Sequence, residues 1–227
     1  MFLFRDALPN LQGKARFFHA AAGAKAVDIY SDGSPLATNL DFGEVTPYKD
    51  ITPGKHKIEI FRASTKSTPL YTDTIEIIPN EIVTLSVVLL ESTLTLFTLK
   101  DNPPKNVNEL TFLRFINFSP DAPLLSLSLP DSEDILFNGV EYLETTGFYP
   151  LSGGLYNFLV TATTDSSYRK FINCVQLDPN SSHTIFVIGL ATGSPELGYV
   201  LTEDGYNNQK TTIEEEKPFT NQQNIDL

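Results

Sequence analysis

Ala15-Arg16-Phe17-Phe18-His19-Ala20-Ala21-Ala22-Gly23-Ala24-Lys25-Ala26-Val27-Asp28-Ile29-Tyr30 is a phrase the chain uses twice. It returns as Leu113-Arg114-Phe115-Ile116-Asn117-Phe118-Ser119-Pro120-Asp121-Ala122-Pro123-Leu124-Leu125-Ser126-Leu127-Ser128, and the step from Arg16 to Arg114 is 98 residues. Tyr48 with Pro53-Gly54 returns as Phe148 with Gly153-Gly154, and Pro79-Asn80 ahead of Thr84 returns as Pro179-Asn180 ahead of Thr184, each 100 residues on. A period of about 100 is too long for a solenoid repeat and fits one complete small domain. The 227-residue chain therefore reads as two domains of one plan, each large enough to bury its own core.

Strand signals fill both copies. Lys57-Ile58-Glu59-Ile60, Thr74-Ile75-Glu76-Ile77 and Thr84-Leu85-Ser86-Val87 alternate polar with apolar, which predicts sheets with one buried and one wet face. Asp32-Gly33 is a hairpin turn signal, and Gly, Pro, Asn or Asp recur about every 8–12 residues, with no helical stripe between them. The fold class is all-β, two tandem β-sandwiches. The boundaries fall at an N-terminal arm (1–14), a first sandwich (15–100), a linker around Pro103-Pro104 (101–110), a second sandwich (111–204) and a polar tail (205–227). The tail carries Glu214-Glu215-Glu216 and too few apolar residues for a core.

Charge narrows the function classes. A net charge of −12 argues against nucleic acid and against anionic membrane surfaces, both of which need clustered cations. The imbalance is uneven: residues 15–100 carry 8 basic and 10 acidic side chains, residues 111–204 carry 3 and 11. No run approaches the ~18 apolar residues of a membrane helix, so no membrane insertion is expected. Met1-Phe2-Leu3-Phe4-Arg5-Asp6 lacks the basic start and apolar stretch of a secretory signal. The single cysteine, Cys174, lies in the alternating run Phe171-Ile172-Asn173-Cys174-Val175 and is expected to be a buried, inert thiol.

The run from His19 through Val27-Asp28-Ile29-Tyr30-Ser31-Asp32-Gly33, followed by Tyr48 and Pro53-Gly54, resembles the opening of the DUF4397 domain. That family reads His-Ala/Ser-x-Pro-Asp/Gly-Ala-Pro-x-Val-Asp-Val/Ile-Tyr-x-Asp-Gly. The second copy keeps Ser119-Pro120-Asp121-Ala122-Pro123 better than the first, but has Asn117, Ser126 and Ser128 where the motif has histidine, aspartate and tyrosine. The resemblance implies immunoglobulin-like or transthyretin-like sandwiches at a bacterial surface, with no established reaction. Leaderless tandem copies resemble members from spore-forming clostridia, which implies a spore-surface location.

No motif points to chemistry. His19 and Asp28 could act as a base and its orienter, but no nucleophile completes the set and the second copy lacks both. Capping of backbone groups in a loop is the expected role of such side chains. His19, His56, His183 and Cys174 have no zinc spacing, and Asp131-Ser132-Glu133-Asp134 has carboxylates without the spacing of a calcium loop. No catalytic residue, metal ligand or cofactor site is assigned, and no enzyme is expected. The expected function is structural: a component of a bacterial cell-surface or spore-surface assembly whose partners are further copies or other surface proteins. The apolar arm residues Phe2, Leu3 and Phe4 are the assembly contacts, and Lys210-Thr211-Thr212-Ile213 is a second segment able to add to a sheet edge of a neighbour. The alternative is a glycan-binding adhesion module using Tyr48, Tyr142, Phe148 and Tyr149.

Overall fold

The computed structural model describes residues 11–102, 104, 109–132, 134–163, 168–205 and 211–212. All regular structure among them is strand. In the first repeat, β1 (Gly13–His19), β4 (Lys49–Ile51), β7 (Ile82–Leu90) and β8 (Thr93–Lys100) form one sheet in the order β4-β1-β7-β8. β2 (Val27–Ser31), β3 (Ser34–Leu40), β5 (Gly54–Arg62) and β6 (Tyr71–Ile77) form the other, ordered β3-β2-β5-β6. β1 and β7 run parallel, so the first strand of the repeat is held at the centre of its sheet by the seventh. Between the two sheets lies a core that includes Phe17, Ile29, Ile60 and Leu85.

The second repeat uses the same plan. β9 (Leu110–Asn117), β12 (Tyr149–Ser152), β15 (Ser182–Ile188), β16 (Gly198–Glu203) and β17 (Thr211–Thr212) form a sheet ordered β12-β9-β15-β16-β17. β10 (Leu125–Ser128), β11 (Ile135–Val140), β13 (Gly154–Ala162) and β14 (Arg169–Leu177) form its partner, ordered β11-β10-β13-β14. Leu127, Phe158, Val160 and Ile185 fill the core between them. The chain is thus all-β, with two sandwich-like pairs of sheets.

The repeats are not beads on a linker. A third apolar cluster, with Phe18, Val88 and Leu99 from the first repeat and Phe118, Phe186 and Val200 from the second, joins the β1-containing sheet to the β9-containing sheet. The result is four stacked layers in which the central strands of the two middle sheets, β1, β7, β9 and β15, are buried on both faces. Along β1, Ala15 and Phe17 face the first core while Phe18 faces the other repeat. The alternation of β5 and β6 does leave one wet face, as expected. In β7 the expected wet positions, Thr84 and Ser86, are fully buried, because the second repeat covers them.

Local chemistry explains the turns. Asp32 and Gly33 both have positive φ (49° and 82°), as a two-residue hairpin loop requires. Asp32 also accepts from Lys57 N–H (3.0 Å) and faces His56 Nδ1 (2.9 Å); these contacts hold its carboxyl below the usual carboxylate range. Cys174 corrects the sequence expectation. It is exposed, at φ 57°, where the register between β13 and β14 shifts, and its N–H donates to Asn157 Oδ1. A bulge turned outward a side chain that strict alternation would have buried.

Candidate functional site

His19 ends β1 and turns into the loop that its own side chain organises. Its Nδ1 accepts from Ala21 N–H (3.3 Å), so Nε2 carries the proton and donates to Lys25 O (3.1 Å). Burial pushes its pKa below the ordinary histidine value, against opposing effects of the Lys25 carbonyl, Asp41 and Glu44. In the second repeat Asn117 keeps the acceptor role and donates elsewhere: Oδ1 accepts from Ser119 N–H (3.0 Å), and Nδ2 donates to Val140 O of β11 (3.4 Å). Each side chain thus satisfies the N–H two residues on.

Asp28 behaves in parallel fashion. Its carboxylate accepts from Asn39 N–H (2.7 Å) and Ser64 N–H (3.0 Å), at two residues with positive φ (51° and 62°). Asn39 belongs to a bulge of β3 against β2. Its counterpart Gly139 (φ 66°) bulges from β11 against β10 and donates to Ser126 Oγ (2.9 Å). The motif's aspartate became serine and still holds the bulge.

The remaining motif residues divide by repeat. Val27 is core; Tyr30 packs edge-on against Phe61 at 5.6 Å on the outer face, with Lys66 Nζ 4.0 Å over its ring. Ser119, Pro120, Asp121, Ala122 and Pro123 form the second copy of the loop. There Asp121 accepts from Ala191 N–H (2.7 Å), Thr192 N–H (3.0 Å) and the hydroxyls of Thr192 (3.0 Å) and Ser119 (3.3 Å). Burial opposes ionisation of Asp121, but these donors outweigh it and hold the carboxyl below its usual range. Asp121 thereby ties the motif loop to the β15–β16 connection. Phe2, Leu3 and Phe4 lie outside the described residues. Among the described residues no group of His, Cys, Asp and Glu is arranged to hold a metal.

The densest polar constellation joins the repeats, and sequence reasoning missed it. Arg16 donates from Nε to Thr84 Oγ1 (2.6 Å), from Nη1 to Glu203 O (2.9 Å) and from Nη2 to Asp204 Oδ1 (2.5 Å). Arg114 mirrors it, donating to Thr184 Oγ1 (2.9 Å), Lys100 O (2.8 Å) and Asp101 Oδ1 (2.5 Å). Thr84 donates in turn to Asp101 and Thr184 to Asp204. Arg16 stacks over Tyr48 at 4.6 Å and Arg114 over Phe148 at 4.8 Å. The side chains of all four charged residues are at most 4% exposed. Burial alone would lower the pKa of Arg16; Asp101 and Asp204 outweigh it and raise that pKa. Burial also raises the pKa of Tyr48, whose hydroxyl donates to Asp101 (2.8 Å).

Each repeat thus lends its arginine to the other's carboxylate. Asp101, read from sequence as the first linker residue, is fully buried. The signal was present in the recurring arginine and in an aspartate following the last long strand of each copy, Lys100-Asp101 and Glu203-Asp204. The four aromatics weighed as a glycan platform do not gather: Tyr48 and Phe148 lie under the arginines, Tyr142 donates to Leu89 O across the interface, and Tyr149 packs against Phe137.

The family described as domain of unknown function DUF4397 matches residues 13–128, just over half of the chain. No curated protein matches the chain.

Proposed function

The chain belongs to the DUF4397 family, and from that premise we propose that it is a non-enzymatic structural component of a bacterial cell-surface or spore-surface assembly, working through protein–protein contacts. The observation that carries this reading is the use of the motif. The polar residues that would be candidates for chemistry are spent on backbone groups, and their replacements keep one such bond each: Asn117 holds the N–H two residues on, and Ser126 holds the bulge residue Gly139. A motif that tolerates such exchange is a scaffold motif.

The faces joining the repeats are consumed within the chain, which leaves outer edges for neighbours. β3, β6, β11 and β14 end the outer sheets, and β8 ends a middle sheet. Strand addition already occurs once: β17, expected from the sequence to serve a neighbour, pairs with β16 of its own chain. In this reading the apolar residues Phe2, Leu3 and Phe4 supply a further contact, made with an edge of the next copy. Negative-stain microscopy of the full chain should show filaments or layers that are lost on deleting residues 1–12. Monodisperse particles with and without the arm would refute the proposal. Antibody labelling of intact vegetative cells and spores tests the location.

A further inference from the structure

The two repeats have the same backbone plan and different outer faces. On the first, Tyr30 and Phe61 meet edge-on at 5.6 Å and Lys66 covers Tyr30, so the outer face is filled with side chain. Register places Ser128 where Tyr30 stands and Thr161 where Phe61 stands: Tyr30 pairs with Glu59 and Asp28 with Phe61, while Ser128 pairs with Leu159 and Ser126 with Thr161. Removing two rings from one spot opens an outer-face groove of about 460 Å³.

The lining has a definite chemistry. Ser128, Asn138, Thr161 and Thr163 present hydroxyl and amide groups, exposed Ile135 an apolar flank above buried Leu159, and Arg169 a guanidinium at one end. Several of the polar groups are pre-oriented. Ser128 and Thr163 donate to the carbonyls of Leu159 (3.4 Å) and Leu124 (3.2 Å), which turns their hydroxyl lone pairs outward. Asn138 Oδ1 accepts from Ser126 Oγ (3.0 Å), which leaves its NH2 as donor. Arg169 lies 5.8 Å over the ring of Phe171, itself 45% exposed, and has no carboxylate partner among the described residues. This repeat carries only three cations against eleven carboxylates, and Arg114 is buried between the repeats. A guanidinium with no carboxylate partner among the described residues, standing at a groove of hydroxyls, matches one kind of ligand: hydroxyl-rich, with an apolar ring face and a carboxylate.

We infer that the outer face of the β10–β11–β13–β14 sheet is a binding site for acidic sugars of the uronic type. The ring's C–H face lies on Ile135, its hydroxyls exchange hydrogen bonds with Ser128, Asn138 and Thr161, and its carboxylate pairs with Arg169. The inference is independent of the assembly proposal: filament formation and sugar binding are read by different measurements, and either can fail alone.

The test is an NMR titration of the isotope-labelled full chain with glucuronate and, separately, glucose. Glucuronate should move the amides of Ser128, Thr161 and Arg169 and leave Tyr30 and Glu59 still, with glucose at least about tenfold weaker, since an open site rests on its charged contact. Arg169→Gln, an exposed substitution, should reduce the preference for the acid to under about threefold. Ser128→Tyr, which gives the second repeat the first repeat's side chain, should abolish binding by either sugar. Shifts elsewhere, no shifts at about 50 mM glucuronate, or an unchanged preference in Arg169→Gln would each overturn the inference. If Ser128→Tyr does not fold, the Arg169→Gln comparison decides alone.

Discussion

At the scale of single residues, the loop position after the first strand shows how far a motif can drift while its physics stays put. His19 and Asn117 share one task, accepting the N–H two residues ahead, and each also donates to a carbonyl, Lys25 O of the same loop for His19 and Val140 O of β11 for Asn117. His19→Asn should therefore fold with near-native stability, whereas His19→Ala strands the buried Ala21 N–H and should cost about 1–3 kcal/mol in chemical denaturation. The exchange also separates two contributions to pH dependence. Burial depresses the pKa of both His19 and His183 from 6.5. The unfolded chain takes up protons near that pH which the folded chain refuses. Stability is thus complete above about 6.5 and declines as pH falls toward the depressed folded values. Urea unfolding at several pH values between about 7 and 5 should show this slope, reduced but not removed in His19→Asn because His183 still titrates. An unchanged slope would mean that His19 takes up its proton equally in the folded and unfolded chain and contributes nothing to the pH dependence.

At the scale of elements, β5 and β7 explain what could be read from sequence and what could not. Both alternate perfectly, as Lys57-Ile58-Glu59-Ile60 and Thr84-Leu85-Ser86-Val87, and both were legible as strands. The difference lies in the polar positions. Lys57 and Glu59 cannot be buried cheaply and stay at the surface, whereas small neutral Thr84 and Ser86 can be, and are, covered by the other repeat. The covered face, and with it the Arg16–Asp204 and Arg114–Asp101 pairs, was hidden because it is made by residues 188 and 13 positions apart, separations that strand alternation does not report. Elements also carry unoptimised turns. Glu91 and Ser92 join β7 to β8 as a two-residue loop with both φ positive (47° and 66°), a conformation that favours Asn-Gly. Glu91→Asn with Ser92→Gly should stabilise the chain by about 1 kcal/mol, raising the thermal midpoint by about 2–4 °C. A lowered midpoint would show that the glutamate or serine makes a compensating contact.

At the scale of the whole molecule, the interface combines a symmetric polar layer with an asymmetric apolar one. The arginines, threonines and aspartates are exchanged in pairs, as in a two-fold dimer. The apolar centre is complementary instead. Phe186 occupies the second repeat's equivalent of Ser86, and Phe118 that of Ala20, so large residues of one repeat meet room left by the other. Phe186 stacks with Phe118 at 5.4 Å and tilts against Phe18 at 4.9 Å. Two first repeats would leave a void between Ser86 and its copy, and two second repeats would crowd phenylalanine on phenylalanine. The apolar faces therefore select each other, while the polar layer, which is the same in both repeats, requires only that the two faces stay joined, because an arginine without its carboxylate would be a buried, unpaired charge. Asp204→Ala should accordingly cost the intact chain about 3–5 kcal/mol. Residues 11–104 and 109–205 made as separate chains should each self-associate poorly, yet combine one to one on mixing. In size-exclusion chromatography the 1:1 species should vanish with Phe186→Ser, which supplies the first repeat's small residue where bulk is needed. Equal mixing of that variant, or stable homodimers of either half, would show that the apolar complementarity does not choose the partner.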